Sequence, residues 1–337
     1  MKSLLSILFY LGPFCSGALV LELRIKSLTT LDKTQLNPTL SGRAGGLSAM
    51  EYRADTDKWL VVADREKVAN TSTFFNLKLA AGDINQPFDD FQTLPDVQNV
   101  ESIRYHPDQQ GFYFAMEEDD ESKIAFWKEG RKPEVVFTES RSGKYLTTNR
   151  GIEGIAIMPN NDLWFAFESG GSDTCGKDNF TVFRKVGYRQ GRRQQYNFNK
   201  KRKKDYRYAI DRCACMDSTQ AFTSTLGNGI SEILALDDQH LLVLERCYDG
   251  RQNGCQVKLF LATINEKQSI IEKSKMLFDF NDPTYMPAIK TGWLPDNLEG
   301  MTWGPKEEGK KALYFISDDN FRASQRTQLI VLEVKTN

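Results

Sequence analysis

Acidic residues recur in this chain at two fixed places relative to apolar runs. Three glutamates follow an amide or glycine and one apolar residue: Asn99-Val100-Glu101-Ser102, Gly151-Ile152-Glu153-Gly154 and Asn297-Leu298-Glu299-Gly300. Asp64, Glu117, Glu168, Glu245 and Asp318 each close an apolar run, such as Trp59-Leu60-Val61-Val62-Ala63. Carboxylates forced together raise one another's pKa and serve as general acid or base. The same oxygen-rich set suits Ca²⁺, which takes roughly six to eight oxygen ligands in flexible geometry. Arg65 and Arg246 directly follow Asp64 and Glu245, while Asn320 and Arg322 follow Asp318. These guanidinium and amide groups are suited to orienting a phosphate or carboxylate. A serine-histidine nucleophile has little support: no Gly-x-Ser-x-Gly elbow occurs, and His106 and His240 are the two histidines, both in turn-rich stretches.

The elements that position these acids repeat. Gly46-Leu47-Ser48-Ala49 and Gly229-Ile230-Ser231-Glu232 extend the motif to five copies, each leading through a first strand and a turn to a second strand that ends in an acid. The turns carry Asp, Asn, Pro and Gly, as in Pro159-Asn160-Asn161-Asp162, which makes each copy a hairpin. Further apolar strands follow most hairpins, for example Val257-Lys258-Leu259-Phe260-Leu261. Such a repeat predicts an all-β fold, a β-propeller of five or six blades. The early strand Leu19-Val20-Leu21-Glu22-Leu23 and the last strand, Leu329 to Val334, are expected to pair and close the ring, since neither otherwise has a partner. In an antiparallel hairpin the start of the first strand and the end of the second share one end of the sheet. The acids therefore gather on one face, around the channel mouth if the first strands are innermost.

The rest of the chain sets the context. Met1-Lys2, the apolar run Leu4 to Leu11, and small residues at Ser16 and Ala18 read as a signal peptide over residues 1–18, ahead of one domain over 19–337, secreted or periplasmic. No other apolar run approaches the length of a membrane span. At 337 residues, 40% hydrophobic, 26% charged and with net charge -1, the chain shows no global preference for nucleic acid. A basic insertion with interleaved tyrosines is expected at about 184–212, solvated and exposed. In an oxidising compartment the cysteines predict a Cys247–Cys255 bridge across a turn-rich segment, and a second joining Cys175 to Cys213 or Cys215.

Gly151-Ile152-Glu153-Gly154, Leu241 to Arg246, and Asn297-Leu298-Glu299-Gly300-Met301 followed by Ser317-Asp318-Asp319-Asn320-Phe321 together resemble the phytase-like family, named for the esterase-like activity of phytase. The resemblance covers nearly all of the chain after the leader. It implies an exported propeller and hydrolysis of a small-molecule ester or phosphoester. Two functions stand at this level. One is a hydrolase with Glu153, Glu299 and Glu101 as catalytic candidates, Asp64, Glu117, Glu168, Glu245 and Asp318 holding a divalent cation such as Ca²⁺, and Arg65, Arg246, Asn320 and Arg322 binding substrate. The other is a non-catalytic propeller that presents the same rim to a sugar, polyanion or protein.

Overall fold

The protein is described from a computed structural model, over residues 21–35, 43–64, 71–77, 79, 83–85, 88–118, 120–140, 151–169, 180–189, 195–198, 203–211, 227–248, 255–306 and 309–336. Its described residues form an all-β, propeller-like structure of four-stranded units. β1 (Leu21–Thr30) comes first in sequence but joins the last sheet, so the units are counted from the strand after it. The next four strands, β2 (Leu47–Arg53), β3 (Lys58–Ala63), β4 (Thr73–Leu77) and β5 (Phe88–Thr93), pair in chain order. So do β6 (Val100–His106), β7 (Gly111–Glu117), β8 (Glu121–Trp127) and β9 (Glu134–Ser140). The third unit comprises β10 (Ile152–Ile157), β11 (Leu163–Phe167) and β12 (Phe180–Val186). After a short hairpin of β13 (Tyr188–Arg189) and β14 (Gln195–Tyr196), it is completed by β15 (Lys203–Ala209). The fourth has β16 (Gly227–Ala235), β17 (His240–Tyr248), β18 (Cys255–Asn265) and β19 (Ile270–Asp279). The fifth has β20 (Asn297–Trp303), β21 (Lys311–Asp318) and β22 (Gln328–Thr336), with β1 on its outer edge.

The first strands meet in a cycle: β2 touches β6, β6 touches β10, β10 touches β16, β16 touches β20, and β20 returns to β2. Five apolar clusters fill the spaces between consecutive units. Trp59 meets Tyr314 at 4.5 Å between the fifth and first, and Phe74 meets Phe114 at 5.9 Å between the first and second. Phe280 meets Phe315 at 5.2 Å between the fourth and fifth. Each sheet is therefore buried on both faces near the axis, which is why second strands such as Trp59-Leu60-Val61-Val62-Ala63 and Leu163–Phe167 are apolar without interruption rather than alternating.

The terminal strands pair as the sequence predicts, with Leu23 opposite Val334 and Leu28 opposite Ile330. They complete the fifth unit. The third and fourth units also join edge to edge, through a short parallel pairing of Arg207 and Tyr208 with Ile270 and Ile271.

Much of the basic segment 184–212 lies in the sheet: β15 is the fourth strand of its unit, and its tyrosines Tyr206 and Tyr208 are buried. Arg184 is bound by Asp205 and Glu139, and Lys185 and Lys204 by Glu266, so their charges are matched locally. The leader at 1–18 lies outside the described residues. Among those residues, no helix is long and apolar enough to cross a membrane.

The Cys247–Cys255 bridge is not formed. Cys255 is a free, buried thiol, whereas Cys247 is disulfide-bonded. The register explains this: Cys247 lies opposite Gln256, and Cys255 opposite Tyr248. One step along a strand reverses the face, so the two thiols point to opposite sides of the sheet. Cys175, Cys213 and Cys215 lie outside the described residues.

Every first strand carries a bulge at the same place, between Leu47 and Ala49, Val100 and Ser102, Ile152 and Gly154, Ile230 and Glu232, and Leu298 and Gly300. The residue after the bulge must be small where units approach closely. A Cβ on Gly154 would stand 2.7 Å from the Ile233 nitrogen on the neighbouring strand. Gly154→Ala should therefore cost about 1–3 kcal/mol through overpacking against backbone, seen as a lower urea midpoint at unchanged slope. An unaltered midpoint would mean the units are not pressed together here.

Candidate functional site

The five bulged residues are Ser48, Glu101, Glu153, Ser231 and Glu299, one from each unit. A bulge leaves one residue unpaired and re-aims its side chain. Just before them on the first strands stand Gly46, Asn99, Gly151, Gly229 and Asn297. Opposite these, on the second strands, stand Asp64, Glu117, Glu168, Arg246 and Asp318. The sequence pattern placed Glu245 in this series, but the register gives that place to Arg246.

Glu245 faces the other way. It is buried and accepts hydrogen bonds from Tyr208 Oη at 2.8 Å and Asn228 Nδ2 at 2.8 Å, with Lys273 Nζ at 2.5 Å. Burial pushes its carboxyl up, and Lys273 opposes this. It forms an ion pair within the fourth unit, tied to the third through Tyr208, and does not join the acidic mouth.

The remaining seven acids share one electrostatic neighbourhood. Glu101 is pushed well above the usual carboxylate range by desolvation, then by Glu153, Glu299, Glu117 and Asp64. Glu153 is raised likewise by desolvation, then by Glu168, Glu117 and Glu299. Asp318 is raised by burial and by Glu299. Burial also lifts Glu299, to about 7, although Arg246 pulls it down. Around Arg246 the balance is reversed: burial disfavours its charge, but Glu299 and Glu168 more than offset this. Its guanidinium lies 3.2 Å from Glu299 and 3.7 Å from Glu168, and it donates to Asn297 Oδ1. Its Nε–H is buried without an acceptor.

Two asparagines, which the sequence reading passed over, distinguish the three catalytic candidates. Asn99 Nδ2 donates to Glu101 at 3.0 Å, and Asn297 Nδ2 donates to Glu299 at 2.8 Å. The Asn-x-Glu spacing was the signal. In the third unit the equivalent residue is Gly151, and Glu153, 6% exposed, accepts no hydrogen bond among the described residues. Arg246 favours its ionised form, against burial and the neighbouring acids.

Other sequence candidates are more peripheral. Asn320 sits in the turn after β21 with φ 47, its N–H donating to Asp318 Oδ1 at 2.6 Å, and Arg322 is exposed. Arg65 lies outside the described residues. His240 binds Asp237 at 2.9 Å, while His106, expected in a hairpin turn, is buried at the end of β6 against Tyr188 and Tyr196. Among the described residues, no group of three or more His, Cys, Asp or Glu side chains is spaced to hold a metal ion.

Beneath the acidic mouth the axis is closed by a second charge network. Arg104, 3% exposed, pairs with Glu232 at 2.9 Å and lies 3.7 Å from Glu51. It also donates to the carbonyls of Ile233 and Met301, each at 2.9 Å. Ser102 donates to Glu232 at 3.0 Å. Burial pushes Glu232 up to about 8 in spite of Arg104. The network joins the first, second, fourth and fifth units, and no single motif in the sequence announces it.

Comparison with known proteins gives one family and several distant shapes. No curated protein matches the chain. Among solved structures, an endo-arabinase from Bacteroides thetaiotaomicron VPI-5482 is similar at 8% identity and TM-score 0.49, over 86% of this chain and 94% of that one. An endo-1,4-beta-xylanase from the same organism is similar at 10% identity and TM-score 0.45, over 85% and 90%. An alpha-L-arabinanase from Cellvibrio cellulosa is similar at 11% identity and TM-score 0.40, over 86% and 91%. The phytase-like family, described by the esterase-like activity of phytase, matches residues 42–321, a span that includes every bulged strand and every acid of the mouth. The chain belongs to the phytase-like family.

Proposed function

We propose that the protein is an exported hydrolase of ester or phosphoester bonds, a five-bladed propeller whose active site is the acidic mouth of the axis. The observation that carries this is the asymmetry among three equivalent glutamates: Glu101 and Glu299 are held by asparagine amides, and Glu153 is not. Glu153, whose carboxyl is held toward its protonated form by burial and by the acids around it, gives a proton to the leaving-group oxygen as the bond breaks. Glu299, near 7 and steadied by Asn297 and Arg246, takes the proton of the attacking water. Arg246 anchors the anionic part of the substrate. Two carboxyls with different partners thus divide acid and base work.

A divalent cation is the further proposal. Carboxylates that repel one another, as Glu101, Glu153, Glu299 and Asp318 do, gain from a hard cation such as Ca²⁺. Asp64, Glu117 and Glu168 supply more oxygens of the same kind. No catalytic step is routed through the ion, since no three of the described groups are spaced to hold one.

The test combines turnover with stability. Hydrolysis of p-nitrophenyl acetate and p-nitrophenyl phosphate is expected, stimulated by Ca²⁺ and reduced by chelator. Carboxyls raised in the folded state contribute stability that is complete below about 4.5 and lost as pH rises through the folded value. The melting temperature should therefore fall between about pH 5 and pH 7, the window that Glu299 defines, and Ca²⁺ should restore it at pH 7. Turnover of neither ester under any condition, with a melting temperature indifferent to pH and Ca²⁺, would return the rim to a structural role.

A further inference from the structure

His106 ends β6 with its side chain wholly buried, and among the described residues neither of its ring nitrogens has a hydrogen-bond partner. Three tyrosine rings pack against it: Tyr113 of its own unit, 6.3 Å away between centroids, and Tyr188 and Tyr196 at 5.1 and 5.7 Å. The latter two belong to the β13–β14 hairpin of the third unit. The Tyr188 hydroxyl is also buried without a partner among the described residues. A neutral imidazole is costly in such a place, and an imidazolium, with two donors and a charge, is costlier still.

The titratable groups around the ring do not bond it. In the second unit they are Asp108, in the turn after β6, and Tyr113, on which Glu134 of β9 also acts. In the third unit they are Tyr188, Tyr196 and Asp162, whose carboxylate accepts from the Tyr188 N–H at 3.2 Å and pairs with Lys185 at 3.0 Å. Asp108 accepts from Asn161 Nδ2 at 3.0 Å. Burial pulls the imidazole below the usual histidine value, and the charge of Asp108 offsets this only in part.

Displacing the hairpin is the least costly route from this ring to water. β6 is an inner strand, paired along its length with β7 and packed between β2 and β10. Among the described strands β13 and β14 pair with each other alone. The hairpin is tied to its own unit by the Tyr188 bond to Asp162 and by Tyr196 Oη donating to the Asn161 carbonyl at 2.7 Å. Rings hold it to the second unit: beside His106, Tyr196 meets Tyr113 at 5.2 Å and Phe198 meets Phe137 at 5.9 Å. Segments with so few bonds open before a core strand does. Released from the second unit, so small a hairpin does not hold together, and the Tyr188 N–H opens with it. Tyr196, Asn197 and Phe198 also line an open cleft of about 900 Å³, together with Glu134 to Thr138 of β9. The position of the hairpin therefore sets the width of that cleft.

We propose that His106 is a pH-sensitive latch: neutral, it lets the β13–β14 hairpin dock on the second unit and close one side of the cleft, and protonated, it reaches water by displacing Tyr188 and Tyr196. Undocking binds protons, because the exposed ring is an ordinary histidine with a pKa of about 6.5 and the docked ring lies lower. Docking is thus strongest above about pH 6.5 and weakens as pH falls below it, the opening equilibrium rising by up to about tenfold per pH unit. The mouth acids act in the opposite direction, stabilising the whole fold as pH falls, so the latch and the hydrolytic reading fail separately.

Amide hydrogen exchange of the full chain, followed by NMR from about pH 7.5 to about pH 5 with the intrinsic rates divided out, tests the latch. The protection factor of the Tyr188 amide should be level above about pH 6.5 and fall below it by up to about tenfold per unit, while that of Phe114 in β7 does not fall. His106→Phe keeps a ring and cannot titrate, so its Tyr188 protection should be the same at both ends of the range. A second reading needs no change at His106. The chain has two histidines, so the Cε1 proton signal that His240→Gln retains is that of His106, and its midpoint should lie below about 6.5. Level Tyr188 protection down to the lowest pH, a fall in step with Phe114, or an undiminished fall in His106→Phe would overturn the proposal. So would a His106 midpoint at or above the usual histidine value.

Discussion

Glu153→Gln should lower kcat/KM for ester hydrolysis by about 10²–10⁴-fold while leaving the protein folded and no less stable. The size of the loss follows from what Gln cannot do: it keeps the shape of a protonated carboxyl but has no proton to give. The retained stability follows from the surroundings, because Glu153 sits among Glu168, Glu117 and Glu299, and removing one crowded acid relieves repulsion. The wild-type rate should decline as pH rises through the raised pKa of Glu153, since a general acid works only when protonated. In the Gln variant that limb should disappear, and the melting temperature should depend less steeply on pH. Glu245→Gln provides the contrast. Its carboxylate is committed to Lys273, Tyr208 and Asn228, so this variant should lose stability and keep its activity per folded molecule. If Glu153→Gln retains full turnover and Glu245→Gln abolishes it in folded protein, the mouth has been assigned to the wrong strand face.

Arg104→Met should destabilise the fold by about 3–5 kcal/mol, the usual consequence of removing one partner of a buried pair. The loss should show as a lower urea midpoint. Glu232 is fully buried and would be left with Ser102 as its side-chain donor. It can escape by taking a proton, which its pKa of about 8 already makes easy. The penalty should accordingly be smaller at pH 6 than at pH 9, where the carboxyl must be forced neutral against the solvent. Adding Glu232→Gln removes the orphaned charge altogether, so the double variant should recover a large part of the loss and its pH dependence. Additive single effects in that cycle would mean Arg104 is held by carbonyls alone, and the ion pair at 2.9 Å contributes nothing of its own.

The register of the fourth unit shows where sequence reading stops. Leu241-Leu242-Val243-Leu244-Glu245 looks like the other acid-terminated strands, and the acid is the visible mark. However, β17 runs on through Arg246 and Cys247 to Tyr248, and the turns of the five hairpins differ in length, so counting from the motif cannot fix which residue lies opposite Gly229. A strand has period two, and an error of one residue turns a carboxylate inward or outward. The same rule defeated the Cys247–Cys255 pairing. The plug was hidden for another reason: Arg104, Glu232 and Glu51 belong to three different units, and their meeting depends on closure of the ring.

The sequence by itself determined the repeated hairpin, its turns, the all-β class, the pairing of the terminal strands and the three motif glutamates. Each of these is written in local patterning or in apolar runs that need a partner. Tertiary structure alone decided that Arg246 stands among the mouth acids and that the buried Arg104 meets carboxylates of separate units. Those are properties of side chains from separate units brought within a few ångströms, and which chains meet is fixed by bulges and register that a one-residue shift would reverse.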